Sequence, residues 1–226
     1  MPAANTILPS ALLIAAAYLL GSIPTAYLAG RWLKGIDIRR YGSGTVSGGT
    51  VYEQVAHWAV IPVGLFDVAK AALPAWLGLR LGLGLPVAAA AGMAAAVGHN
   101  WPIFLRFVGG RGLGCFLGIL LVVLPWGIPW LLGFMAIGRL LGSSAEWALA
   151  SVALLPFFAY LVDGSPVAVC LGAAMLLLTI AKRLEANRRP LPPPGPERRR
   201  VLLRRLVFDR DIASHQDWLA RRPTSS

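Results

Sequence analysis

Pro9 to Gly30 reads PSALLIAAAYLLGSIPTAYLAG, a run without one charged side chain. A helix needs about 20 mostly apolar residues to cross a bilayer, and this run supplies them. Working outward, further apolar stretches follow at about His57–Leu79, Leu85–Phe104, Leu113–Trp126, Ile128–Leu141, Ala148–Leu161 and Val167–Ile180. The later ones are short and closely spaced, and the fourth and fifth could fuse around Pro125 and Pro129. The expected fold is therefore all-α, a polytopic integral membrane bundle of about seven transmembrane helices. The N-terminal apolar run has no positive flank of the signal-peptide kind, so it is expected to be a retained span.

Composition agrees. Of 226 residues 57% are apolar and 14% charged, where a water-soluble domain carries about 25% charged residues. Mean hydropathy is +0.65. The net charge of +11 is concentrated at the C-terminal end, where Lys182 to Ser226 holds 12 Lys/Arg against 5 Asp/Glu. Basic charge beside membrane spans is explained by topology and anionic lipid, and nucleic acid is not an expected partner. Cys115 and Cys170 form no metal or redox motif and are expected to be small buried residues.

The connections after spans one, three and five carry Arg31, Lys34, Arg39, Arg40, Arg106, Arg111 and Arg139, whereas those after two, four and six carry only Arg80. This alternation predicts an outside N-terminus and a cytoplasmic C-terminus. Two regions are expected: a bundle over 1–182 and a basic cytoplasmic tail over 183–226. In the tail, a Pro-rich linker at Arg188–Pro196 precedes Glu197–Asp217, where Val201, Leu202, Leu203, Leu206, Val207 and Phe208 can share one helical face with arginines opposite. That pattern suits an interfacial helix on anionic lipid or a solvated tail.

Three features exceed what a plain bundle needs. Gly42-Ser43-Gly44-Thr45-Val46-Ser47-Gly48-Gly49-Thr50 is dense in glycine and hydroxyls. Gly98-His99-Asn100-Trp101-Pro102 leads to Phe107-Val108-Gly109-Gly110-Arg111-Gly112. Asp67 and Lys70 lie at i and i+3 inside an apolar span. Glycine-rich turns let backbone N–H groups converge on an anion, hydroxyls add donors, and Arg111 adds a guanidinium suited to phosphate. Both loops fall on the expected cytoplasmic side, as parts of a phosphate cradle or as surface turns with topogenic arginines. Asp67 and Lys70 read as an ion pair bracing the helix. His99 could hydrogen-bond, act as an acid or base, or cap its helix.

The same segments resemble a known family. Gly21-Ser22-Ile23-Pro24-Thr25, Gly35-Ile36-Asp37-Ile38-Arg39 and Gly42-Ser43-Gly44 run as in the bacterial acyl-phosphate:glycerol-3-phosphate acyltransferases (PlsY). Asp67-Val68-Ala69-Lys70 with Leu73-Pro74 is similar to that family's DxxKG-x-x-P, and Gly98 to Phe104 with Gly109 to Gly112 to its GHxFPxFLxFKGGKG. Order and spacing hold over roughly residues 9 to 120. The resemblance implies transfer of a fatty acyl group from acyl phosphate to glycerol 3-phosphate at the cytoplasmic face of the cell membrane, giving lysophosphatidic acid and phosphate, with no metal or cofactor. It implies that Ser43, His99 and Arg111 are catalytic. Gly42, Gly44, Thr45, Thr50, Asn100, Gly109, Gly110 and Gly112 would bind substrate and phosphate, with Asp67 and Lys70 supporting them.

The departures are specific. The family's GSGN-x-GATN has Thr45 and Thr50 at the asparagines and Ser47-Gly48-Gly49 at GAT. Glu53 stands where a basic residue is expected, and Val108 and Arg111 replace lysines. A third motif, HRxNIxRLxxGxE, would fall near Thr179–Arg189, where TIAKRLEANRR keeps Lys182-Arg183-Leu184 but offers no clear His, Asn or Glu match. Three readings follow: an active acyltransferase, a non-catalytic homologue that binds an anionic lipid or membrane partner, and a small transporter. A structure bears on the first by whether Ser43, His99 and Arg111 converge and whether Glu53 points away.

Overall fold

The computed structural model describes residues 4–219, and among them it is helical with no strand. The order is α1 Ala4–Gly21, α2 Thr25–Lys34, α3 Gly48–Gln54, α4 Val60–Arg80, α5 Leu85–Asn100, α6 Leu113–Val123, α7 Gly127–Leu140, α8 Ser144–Val162, α9 Pro166–Glu185, α10 Pro196–Phe208 and α11 His215–Leu219. Four stretches, Thr6–Lys34, His57–Arg80, Ser144–Val162 and Pro166–Arg188, are long and apolar enough to cross a membrane. The helices at the other three expected spans are shorter: α5 has 16 residues, α6 has 11 and α7 has 14.

The core is built from small residues. α5 carries Ala88, Ala91, Ala95 and Ala96 buried at its centre and packs on α1, α4 and α6. A methyl at Gly98 would overlap the Tyr18 carbonyl on α1, and one at Gly118 would overlap the Val68 carbonyl on α4. Only glycine lets these backbones approach so closely, which is how helices associate where lipid removes the hydrophobic drive. The large apolar side chains turn outward: Leu12, Leu65, Phe157 and Leu177 are each more than 60% exposed, as a lipid-facing surface requires.

The first stretch is not one straight helix. It breaks at Ser22–Pro24, because Pro24 has no N–H to donate into the ladder. At the break the Ile23 carbonyl accepts from the Thr25 N–H at 3.1 Å and from the Lys70 ammonium of α4 at 3.4 Å. The fourth and fifth stretches do not fuse either, since a turn at Pro125–Trp126 separates α6 from α7. Between α2 and α3 the Asp37 carboxylate accepts from the Arg39 backbone N–H and side chain, and that guanidinium holds the carboxyl below its ordinary range.

Two expectations need correcting. Cys115 is buried, but Cys170 faces outward from α9. The apolar-face, arginine-face description of the tail helix also fails. α10 packs on α8 and α9 with Arg205 only 2% exposed, while Leu203 is 61% exposed. The carbonyls where α9 ends lack intrahelical donors, and Arg205 donates to Leu184, Arg189 and Pro190 at 3.3, 3.1 and 3.0 Å. In return, Arg183 of α9 donates to the α10 carbonyls of Leu206 and Val207 at 2.7 and 3.1 Å, and to Ala145 of α8 at 2.6 Å. Two opposed arginines thus fasten the tail to the bundle.

Candidate active site where three segments meet

The first segment is the glycine-hydroxyl loop. Gly42 and Gly44 take left-handed φ of 49° and 68°, a conformation glycine adopts without the Cβ penalty. This coils the loop until its hydroxyls meet. Ser43 Oγ lies 2.7 Å from Thr45 Oγ1 and 3.0 Å from Thr50 Oγ1, and Thr45 and Thr50 are 2.9 Å apart. Both threonines are buried.

The second segment folds back on the end of α5. The Gly110 N–H donates to the His99 carbonyl, and the Gly109 carbonyl accepts from the Val46 N–H, both at 3.1 Å. A side chain at Gly110 would overlap the His99 ring, and one at Gly109 would overlap the His99 and Asn100 carbonyls. Gly112, at φ 79°, lies against the Asn100 side chain. The two glycine loops, far apart in sequence, are therefore hydrogen-bonded neighbours.

The third segment supplies a residue that sequence reasoning did not find. Ala186, Asn187 and Arg188 all have left-handed φ, of 46°, 54° and 61°, each costing about 1–3 kcal/mol where a non-glycine residue is held there. The turn delivers the Asn187 amide between the loops. Its nitrogen donates to the Gly44 and Gly109 carbonyls at 3.1 Å each, and its oxygen accepts from the Gly109 N–H at 3.4 Å. Asparagine tolerates this conformation better than most residues, and its position ahead of a basic pair was the available signal.

Beneath the loops lies a buried polar cluster. Asp67 Oδ1 sits 2.8 Å from Lys70 Nζ and 3.4 Å from His99 Nδ1, and accepts from the Thr25 hydroxyl at 3.1 Å. Lys70 Nζ is 2.8 Å from His99 Nδ1. Ions at this depth persist only when paired and hydrogen-bonded, and here the cluster ties α2, α4 and α5 together.

Ser43 and Arg111 line one cleft with Arg183, Arg189, Arg205 and Arg210. His99 does not. It lines a separate recess with Ser22, Thr25, Val46 and Pro102, one layer below, with its ring against Gly110. Asn100 is fully buried, and neither amide atom has a hydrogen-bond partner among the described residues. Glu53 is exposed and does not line this cleft. Lys182 lies fully buried 4.9 Å above the Trp101 ring and pairs with Glu185 at 2.9 Å.

The tail reaches the same cleft. Arg111 Nε donates to both carboxylate oxygens of Asp209 at 2.8 Å, leaving its Nη1 buried and without a partner among the described residues. Arg189 pairs with Asp211 at 3.2 Å and donates to the Ser43 carbonyl at 2.7 Å. Among the described residues the cleft holds five guanidinium groups and two carboxylates, an arrangement that can hold an anion.

The family model described as "Glycerol-3-phosphate acyltransferase" matches residues 11–191. The chain is 36% identical over 218 residues to glycerol-3-phosphate acyltransferase 5 of Dehalococcoides mccartyi, with 91% of each covered. It is 40% identical over 178 residues to the glycerol-3-phosphate acyltransferase of a Synechococcus species, covering 76% of this chain and 88% of that one. Its fold is similar to crystal structures of PlsY (YgiH), an integral membrane glycerol 3-phosphate acyltransferase. The glycerol 3-phosphate form has a TM-score of 0.72 and the lysophosphatidic acid form 0.69. Each is 25% identical and covers 80% of this chain and 91% of that one.

Proposed function

The chain belongs to the glycerol-3-phosphate acyltransferase family, and from that premise we propose how its cleft works. It is a membrane acyltransferase that joins a fatty acyl group to glycerol 3-phosphate, giving lysophosphatidic acid. The alternative of a non-catalytic lipid-binding homologue is unsupported. Exposed Glu53 does not oppose the cleft charge, and Asn187 is present in the third segment despite its poor sequence match.

The donor in this reading is acyl phosphate. A primary hydroxyl of glycerol 3-phosphate attacks the acyl carbonyl carbon, the bond from that carbon to the phosphate oxygen breaks, and inorganic phosphate leaves. The hydroxyl proton passes to a phosphate oxygen, so no strong protein base is needed. The chain's task is to orient two anionic substrates and stabilise developing charge. Arg111 binds phosphate through its guanidinium, whose buried Nη1 has no hydrogen-bond partner among the described residues. Ser43 and the Gly42–Gly44 turn hold the second headgroup, while Thr45 and Thr50 fix the Ser43 hydroxyl. His99, Asn100, Gly109, Gly110 and Gly112 keep the loops in register, and Asp67 and Lys70 brace them from below. The observation that carries this reading is the shared cleft of Ser43 and Arg111.

Seven spans, an outside N-terminus and a cytoplasmic tail complete the reading, with the cleft at the cytoplasmic face of the cell membrane, where alternate basic connections place it. Acyl chains then remain in lipid while headgroups meet arginines. The outward Arg199, Arg200, Leu203 and Phe208 of α10 suit an anionic lipid surface. The test is donor choice. Purified protein given glycerol 3-phosphate makes lysophosphatidic acid from palmitoyl phosphate and releases inorganic phosphate. Turnover from palmitoyl-coenzyme A alone rejects the donor.

A further inference from the structure

Asp209 and Asp211 of the tail sit on Arg111 and Arg189 at the mouth of the cleft. Position 53, where the family resemblance leads one to expect a cation, carries an outward-facing glutamate. Arg189 arrives from the other side. Its Nη2 donates to the Ser43 carbonyl at 2.7 Å and to the Gly42 carbonyl at 3.3 Å, and a methyl at Gly44 would come within 3.0 Å of that nitrogen. Its Nη1 meets the Asp211 carboxylate at 3.2 Å. The guanidinium is thus fixed against the phosphate-binding turn with one edge turned to an anion.

We propose that Arg189 is the second phosphate-binding cation of this site, in place of the one missing at position 53, and that Asp209 and Asp211 are internal stand-ins which substrate phosphate displaces. The identity of that phosphate, though not the exchange itself, rests on the acyltransferase reading.

Charge and geometry support the exchange. Each carboxylate brings one charge and two oxygens, whereas a phosphate monoester brings roughly −1.5 to −2 and three terminal oxygens. Asp209 engages Arg111 through Nε and leaves Nη1 without a partner among the described residues, so a three-oxygen ligand can use a donor the carboxylate does not. All four side chains are 15 to 23% exposed, so water reaches both ion pairs. The fastening of α10 is independent of them, because Arg183 and Arg205 grip carbonyls rather than carboxylates. Residues 209–211 can therefore swing away, pivoting at left-handed Asp209 (φ 51°), without melting α10.

The experiment uses full-length protein and two readouts. In glycerol 3-phosphate titrations, Arg189→Ala should raise KM about tenfold or more with a smaller change in kcat, and Arg189→Lys should recover part of the loss. Asp209→Asn with Asp211→Asn should lower KM and strengthen competition by inorganic phosphate, each about threefold or more. Independently of turnover, inorganic phosphate should speed tryptic cleavage at Arg210 in the unmodified protein, and the double asparagine variant should already be cut fast without it. An unchanged KM in Arg189→Ala, an unchanged or raised KM in the double variant, or cleavage indifferent to phosphate would each overturn the proposal. If the unmodified protein made no product, the acyltransferase reading would fall, and the proteolysis would still decide this one.

Discussion

Replacing Arg111 with alanine removes a charge-assisted phosphate contact and should lower kcat/KM about a hundredfold, with Arg111→Lys retaining part of the activity. A steady-state assay on both variants checks this. Gly110→Ala has a steric cause instead: the methyl meets the His99 ring and the Val46 carbonyl. Overpacking of this kind should cost about 1–3 kcal/mol, read as a lower midpoint of thermal unfolding, with the loops forced apart. Asp67→Ala leaves Lys70 buried without its carboxylate, a loss of about 3–5 kcal/mol, and Asp67→Ala combined with Lys70→Met should recover much of it. At this scale the sequence was informative wherever chemistry and spacing were specific, as at Ser43, Arg111 and the glycines. It was silent on Asn187, because three consecutive left-handed residues in Ala186-Asn187-Arg188 defy local preference and exist only through bonds to distant loops. His99 could be placed beside the loops but not one layer beneath the cleft, since that depends on how closely Gly110 packs on its ring.

Among the elements, α10 departs most from its pattern. Val201, Leu203 and Phe208 suggested an apolar face, yet Arg205 is buried along with Val201, while Leu203 and Phe208 are exposed. Periodicity reports which side chains are apolar. It cannot report that α9 ends with carbonyls in need of donors. Arg205→Ala should therefore leave the Leu184, Arg189 and Pro190 carbonyls short of partners, at a cost of about 1–3 kcal/mol, and hasten tryptic cleavage of the tail relative to the bundle. The break at Ser22–Pro24 escaped a hydropathy reading for a similar reason. The window sees apolarity across Pro9–Gly30, whereas the missing Pro24 N–H and the Lys70 ammonium beneath Ile23 decide the geometry.

For the whole molecule, the apolar runs made an all-helical membrane bundle legible, because burial in lipid leaves helices as the economical way to pair backbone groups. Span edges were less legible: α8 begins at Ser144 and α9 continues to Glu185, past the polar residues that end a hydropathy window. The proposed topology is open to labelling. In a cysteine-free background, Asp163→Cys between α8 and α9 should react with an impermeant maleimide on intact cells. Ser214→Cys should react only after the membrane is opened, and the reverse pattern would invert the molecule. The most direct measurement is product formation. Purified protein, palmitoyl phosphate and labelled glycerol 3-phosphate should give labelled lysophosphatidic acid and one inorganic phosphate per product, with Arg111→Ala close to background. Absence of product from the unmodified protein, or undiminished product from Arg111→Ala, would contradict a single cleft formed by the two glycine loops as the seat of acyl transfer.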